Sequence, residues 1–264
     1  MVRQYLQSLQ TWFKVKVRSL GEKCFYNSPS LESVTFPDNL ISIGDTSFGY
    51  VMNLRRVKIP NTITRLGVRC FSNCTSMTSI TLPDALKEVG NNCFENCFGL
   101  SQISLPKTVK VIGDNAFFWC CALKTFEISE LENPLGNCAF AKCDSLTGIT
   151  LNGTFKEVGS GCFSMCQSLK NVVIPKHLTK IGEGCFQMLP VIEEFILPTN
   201  LKEIPKMCFE ECGKLSKIDI PKSVTKIGLR CFEGCKNLEI KVTKIVSVVE
   251  DRAFENVKKV VYLN

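Results

Sequence analysis

Cysteine is the residue with the most chemical potential in this chain: it occurs sixteen times in 264 residues, often as pairs four apart. Examples are Cys70/Cys74, Cys93/Cys97, Cys162/Cys166 and Cys231/Cys235. Thiols at that spacing raise zinc binding, disulfide formation, redox exchange and nucleophilic catalysis. Zinc sites draw on C-x-x-C pairs or supporting histidines, and His177 is the only histidine. A cysteine nucleophile needs a base, and His177, in a turn after Pro175, has no partner identifiable from its position. No phosphate-cradling G-x-x-x-x-G-K-[ST] or G-x-G-x-x-G motif is found between a strand and a helix. Neither an enzyme nor a cofactor is expected.

The cysteines have to be judged by the elements that position them, and a strict repeat supplies those. Glycine stands at 21, 44, 67, 90, 113, 136, 159, 182 and 228, always in step with a 23-residue period, and Pro205 fills the missing place. Four residues on comes a phenylalanine column: Phe25, Phe48, Phe71, Phe94, Phe117, Phe140, Phe163, Phe186, Phe209 and Phe232, then Phe254 after a step one residue shorter. The unit is V-x-x-I-G-x-x-C-F-x-x-C-x-x-L-x-x-I-x-I-P. Its alternating, β-branched end, such as residues 79–83 (SITLP), predicts a short strand closed by proline. The C-F-x-x-C part predicts about one turn of inward-facing helix, and the glycines are expected to serve as turn positions. One such coil cannot bury its own apolar side, whereas about eleven stacked coils can, at ~4.8 Å per coil in a parallel sheet about 50 Å long. The expected fold is therefore an α/β repeat solenoid, curved, with strands aligned in parallel.

Cysteine falls into two repeat slots. Cys24, Cys70, Cys93, Cys162, Cys185, Cys208 and Cys231 precede the phenylalanine, where other coils have Ser47, Ala116, Ala139 and Ala253. Cys74, Cys97, Cys120, Cys143, Cys166, Cys212 and Cys235 share the second slot with Ser28, Val51, Leu189 and Val257. Pairing is not maintained between the slots, so these fourteen read as small reduced core residues, with a disulfide between neighbouring coils still sterically open. Cys121 and Cys138 fall at mostly polar offsets and are expected to be the most exposed thiols.

The run L-x-x-I-x-I-P with upstream I-G-x-x-[CA]-F-x-x-C resembles the BspA-like leucine-rich repeats, over about residues 17–257, and the cysteine before phenylalanine is similar to the repeats of unicellular parasites in that family. The resemblance implies a leucine-rich-repeat horseshoe with a parallel concave sheet, and adhesion or surface-antigen function through binding of host or matrix proteins. Residues 1–16 are expected to form a capping helix, 17–239 the solenoid, and 240–264 a shorter terminal repeat and cap. Val2, Tyr5, Leu6, Leu9, Trp12 and Phe13 supply the apolar face of that helix; with Arg3, Lys14, Lys16 and Arg18 it also suits a membrane surface. Residues 129–136 (SELENPLG) break the pattern and predict a local irregularity.

Composition narrows the partners. A 45% hydrophobic content supports a folded core, and a net charge of +7, well interleaved, permits anionic partners without requiring them. No signal peptide, spanning helix or lipidation motif is read, so the expected location is the cytosol, or a peripheral membrane or surface position reached by another route. A protein ligand would meet the outward row of the strands, which is mainly small and polar. Two places depart from that: the basic cluster Arg55, Arg56 and Lys58, suited to a carboxylate or phosphate, and Val173 with Ile196, an exposed aliphatic pair beside Glu193 and Glu194. A basic stripe, Lys87, Lys110, Lys156 and Lys202 with Arg65, Lys180 and Lys226, lies before the glycines. Most aromatics belong to the core column, so no stacking platform for nucleic acid is expected. The alternative to an adhesin is a cytosolic scaffold or regulatory adaptor, associated with a phosphatase or the cytoskeleton.

Overall fold

The computed structural model describes residues 17–263, and the capping helix expected over 1–16 lies outside them. Each 23-residue period closes one coil with three sides: two strand ladders and one side made of tight turns. The described residues contain no helix, so the coils form a parallel-strand β-solenoid and not the α/β solenoid expected. The C-F-x-x-C segment, expected to be a helical turn, is the turn side, and its amides explain why it is not a helix.

In the second coil, Ser47, Gly49 and Val51 donate N–H bonds back to Gly44, Thr46 and Phe48, three residues earlier. Thr46, Phe48 and Tyr50 donate instead to Val68, Cys70 and Ser72 of the next coil. Amides therefore alternate between local turns and the neighbouring coil, which excludes the uniform i→i−4 pattern of a helix. The inter-coil set recurs at every junction, from Lys23, Phe25 and Asn27 through to Arg230, Phe232 and Gly234, with all distances between 2.7 and 3.0 Å. Two residues per coil are left-handed, at the second and sixth positions after the glycine: Thr46 (φ 56°) and Tyr50 (φ 61°), Asn92 (57°) and Asn96 (59°), Gly161 (60°) and Met165 (62°). Asparagine and glycine suit this conformation, which accounts for their frequency there.

Inside the turn side the phenylalanine column forms one continuous stack from Phe25 to Phe254. Successive rings are nearly parallel, as at Phe48–Phe71 (5.2 Å, 11°), Phe117–Phe140 (5.0 Å, 12°) and Phe209–Phe232 (5.5 Å, 2°). Such offset stacking is favourable at these separations, and each fully buried ring contributes roughly 1.5–3 kcal/mol. Cysteine packs on either side of it. Every second-slot cysteine also donates its thiol to the carbonyl of the phenylalanine one coil back: Cys74 to Phe48 at 3.2 Å, Cys97 to Phe71 at 3.1 Å, and so on to Cys235 and Phe209 at 3.1 Å. The bond is weak, but it gives the buried thiol an acceptor that valine or leucine at the same slot lacks.

The first ladder is the expected I-x-I strand: 56–58 pairs with 79–81, 125–131 with 148–153 and that strand in turn with 171–173, 194–195 with 217–218, and 239–243 with 259–263, all parallel. The irregularity expected at 129–136 is a lengthened strand with a register shift between Ile128 and Leu131, opposite Gly153 at φ 142°. The second ladder was not anticipated. It comprises the two residues before each glycine, for instance 65–66, 88–89 and 111–112, and later 203–204, 226–227 and 248–249. Neither ladder runs the full length: the first opens between 102–104 and 125–127, between 171–173 and 194–195 and between 217–218 and 239–243, and the second opens between 42–43 and 65–66, between 111–112 and 134–135 and between 180–181 and 203–204. The last opening has a visible cause. Gly182 and Gly228 donate N–H bonds to Val158 and Ile204, and Pro205, in the glycine column, has no N–H to give to Ile181.

The periodic glycines, expected as turn positions, stand just before the turns and none is left-handed. They are required because the preceding coil lies against them: a Cβ would sit 2.8 Å from the Leu66 carbonyl oxygen at Gly90, 2.3 Å from the Gly113 carbonyl carbon at Gly136 and 2.2 Å from the Ser160 nitrogen at Gly182. At Gly21, in the first coil, nothing lies within 4 Å. His177 has a comparable stacking role. It occupies the repeat position of Thr62 and Thr108, which bond the carbonyls of Leu40 and Leu86, and its Nε2 lies 3.1 Å from the Phe155 carbonyl.

All sixteen cysteines are free. Cys121 and Cys138 are half-buried, and the most exposed thiol is Cys24, a correction with a simple reason: among the described residues no preceding coil covers the slot of Cys24. Burial pushes every thiol pKa up, to about 12 for Cys74, Cys166 and Cys212. At Cys121 burial comes first and the Asp144 carboxylate adds to it; at Cys138 the same order holds with Asp114. A raised pKa keeps these groups as thiols near neutral pH, the opposite of nucleophilic activation.

Two outcomes follow from this packing. Gly182→Ala should lower stability by about 1–3 kcal/mol or more in chemical denaturation, whereas Gly21→Ala should stay within about 1 kcal/mol of the parent protein. Timed alkylation of the folded protein, read by peptide mass, should modify Cys24 first, then Cys121 and Cys138, and the remaining slot cysteines only on unfolding; early labelling of Cys97 or Cys185 would contradict the burial order.

Candidate protein-interaction surface

Side chains on the first ladder alternate between core and solvent, so each strand places its flanking residues on an outer row. In 56–58 the pattern is exposed, buried, exposed: Val57 packs inward while Arg56 and Lys58 face out. Ser33 and Ser79 flank Arg56, and Thr81 lies beside Lys58. Among the described residues no carboxylate comes within ion-pair distance of Arg55, Arg56 or Lys58. The cluster is thus a positive patch without an ion pair, with exposed Glu32 at the place of Arg55 in the preceding coil.

The second patch has a different character. Val173 is 53% exposed, and Ile196, at 80%, is the most exposed of the large hydrophobic residues described. They occupy equivalent places in neighbouring coils, on either side of the junction where the first ladder is open. Glu194 is in register with Lys217 and forms an ion pair at 3.2 Å, with both side chains 66% exposed, so it adds little to stability. The Glu193 carbonyl accepts the Ser216 and Lys217 amides, and its side chain has no cation within reach among the described residues.

The two patches are not brought together. Five coil steps separate them, about 24 Å at the usual strand spacing. Between them lies an open groove of about 570 Å³ that the sequence did not reveal. Ile103, Phe126 and Ile149 form its base, Thr125, Glu127 and Thr150 rise from it, and Val173 stands at its far end. Two features make it: the first ladder is open between 102–104 and 125–127, and Gly148 puts no side chain on the row. A glycine in an outward position was the available sequence signal.

The basic stripe on the second ladder is largely compensated. Arg65 pairs with Glu88 at 2.9 Å, Lys180 with Glu157 at 3.1 Å, Lys226 with Glu203 at 2.9 Å and Glu250 at 2.8 Å, and Lys110 with Glu130 at 2.9 Å. Lys87, Lys156 and Lys202 have no such partner among the described residues. Among the described residues there is no cluster of three or more metal-ligating side chains, and no helix long and apolar enough to cross a membrane.

Comparison with known proteins supports the repeat architecture. No curated protein matches the sequence significantly. Among solved structures, a leucine-rich cell surface protein from Faecalibacterium prausnitzii is 25% identical, with 94% of this chain and 77% of that one covered and a TM-score of 0.60. A leucine-rich repeat protein from Bacteroides ovatus is 23% identical over 93% of this chain and 78% of its own, with a TM-score of 0.66. The pneumococcal vaccine antigen PcpA shares the fold at 16% identity, covering 94% and 71%, with a TM-score of 0.57. The family model for the BspA type leucine rich repeat region (6 copies) matches residues 18–147 and 133–261, and the chain accordingly belongs to the BspA-type leucine-rich repeat family.

Proposed function

We propose that this chain is a non-catalytic protein-interaction solenoid that holds a segment of a partner protein on its strand side, over the groove at 103–150 and the Val173/Ile196 pair, in adhesion or surface contact. The observation carrying this proposal is the exposure of Val173, at the end of a groove, and of Ile196 in the next coil, on a row whose other members are polar or charged. An apolar centre with a polar surround is the usual anatomy of a protein contact. Arg55, Arg56 and Lys58 supply a separate anionic contact for a ligand long enough to span both. The similar protein from Faecalibacterium prausnitzii is described as a cell surface protein, which supports the adhesive role. A second reading, an adaptor in a reducing compartment, is favoured by sixteen unpaired cysteines.

A paired capture experiment tests the contact surface. Immobilised protein is offered matrix and host-surface proteins in one arm and cytosolic extract in the other, and compared with Val173→Asp/Ile196→Asp. Both side chains lie outside the core, so melting should be unchanged while capture falls by about tenfold or more. Retention of the same partners by the double variant contradicts the proposal, and the arm that supplies the partners separates adhesin from adaptor.

A further inference from the structure

The turn side carries a feature that its role in stacking does not explain. The sixth position after the glycine is left-handed in every coil, and Asn27, Asn73, Asn96 and Asn256 occupy it in four of them. In the fifth coil it holds Trp119 at φ 61°, a conformation that a bulky side chain disfavours. The bond this position contributes to the stack is a backbone bond, from the Trp119 N–H to Ala141, which asparagine would make equally well. Trp119 is not in the phenylalanine column and remains 39% exposed. Tyr50, Met165 and Met188 hold the same left-handed position in other coils, so the stack accepts many side chains there and does not itself require a tryptophan.

Its surroundings suggest what it is for. Phe98, 40% exposed, meets the Trp119 ring edge-on at 5.4 Å and 73°, and Phe118 does so at 6.2 Å and 74°. Lys142, also left-handed at φ 58°, places its ammonium 4.7 Å from the Trp119 ring centroid and 5.9 Å from that of Phe118. No carboxylate pairs with Lys142 among the described residues. A cation held over aromatic rings is partly desolvated and keeps its outer side free, where a carboxylate would gain more than in open water. Exposed tryptophan with such a cation over its ring has the composition of an interface anchor.

We propose that Phe98, Phe118, Trp119 and Lys142 form a second docking site, on the turn side, for a partner-protein segment that sets an aliphatic or aromatic side chain against Phe98 and Trp119 and an adjacent aspartate or glutamate on Lys142. This site is independent of the strand-side proposal, since the two surfaces share no residue.

The chain has two tryptophans, so Trp12→Phe leaves Trp119 as the sole reporter. Synthetic peptides alternating leucine or phenylalanine with aspartate or glutamate are titrated against it, beside matched peptides carrying lysine or glutamine and a neutral oligosaccharide. The acidic peptides should shift Trp119 emission, bind at least tenfold more weakly to Lys142→Glu, and prefer it in their lysine form. Trp119→Asn, followed by anisotropy of labelled peptide, should lose binding by tenfold or more while its melting temperature stays equal or rises, because asparagine suits the left-handed position. A lowered melting temperature for Trp119→Asn would assign the cluster to folding and overturn the proposal. So would unchanged peptide affinity in that variant, absence of binding by every acidic peptide, or stronger binding of the oligosaccharide.

Discussion

On the turn side, alternate amides of each coil face two ways, every second N–H closing a local turn and the ones between bonding the next coil. The left-handed residues make this possible, because they reverse the backbone often enough to keep carbonyls pointing along the stack. The inter-coil bonds on this side continue through every junction, including those where one of the strand ladders is open. The turn side is thus the spine of the solenoid, and the strand sides are attached to it. Other constraints derive from that close stacking. Glycine is needed where the preceding backbone passes within 3 Å of a would-be Cβ, and the slots beside Phe48, Phe71 and their equivalents admit only small or modest side chains.

Cysteine suits those slots for physical reasons unrelated to redox chemistry. It is small, tolerates full burial and carries a weak donor, and seven of the second-slot thiols use it on a phenylalanine carbonyl one coil away. Burial raises their pKa values in the direction that suppresses reactivity. Side-chain ladders add to the same stack at the coil edges: the Asn91, Asp114 and Asn137 side chains each accept the amide of the next coil's equivalent residue, at 2.9, 2.7 and 2.9 Å. These are local bonds between neighbours, so each junction resembles the next and none depends on a distant part of the chain.

Much of this was legible from the period. The phenylalanine column, the strand at I-x-I and the identity of the two cysteine slots could be read because each repeats at one offset. The conformation of C-F-x-x-C could not, because apolar residues three and four apart fit a helical turn and a chain of tight turns equally well. The recurring asparagines at 73, 92, 96 and 115 were the available sign of left-handed backbone. The second ladder was hidden because two-residue strands have no alternation to detect. Arg55, Arg56, Lys58, Val173 and Ile196 were recognisable as outward residues, but their distance from one another and the groove between them depend on which junctions open. Phe98, Phe118 and Trp119 were obscured by the stronger phenylalanine column.

Residue-resolved amide hydrogen exchange addresses the spine directly. If the turn side holds the solenoid together, the amides of Phe94, Phe163 and Phe186, which cross the junctions where one or other ladder is open, should be as protected as that of Phe71 and exchange only with global unfolding. Amides of Thr125, Glu194 and Glu203, on the open ladder edges, should exchange sooner. Faster exchange at Phe94, Phe163 and Phe186 than in the strands 56–58 and 79–81 would show that the strands carry the stack and would contradict the account.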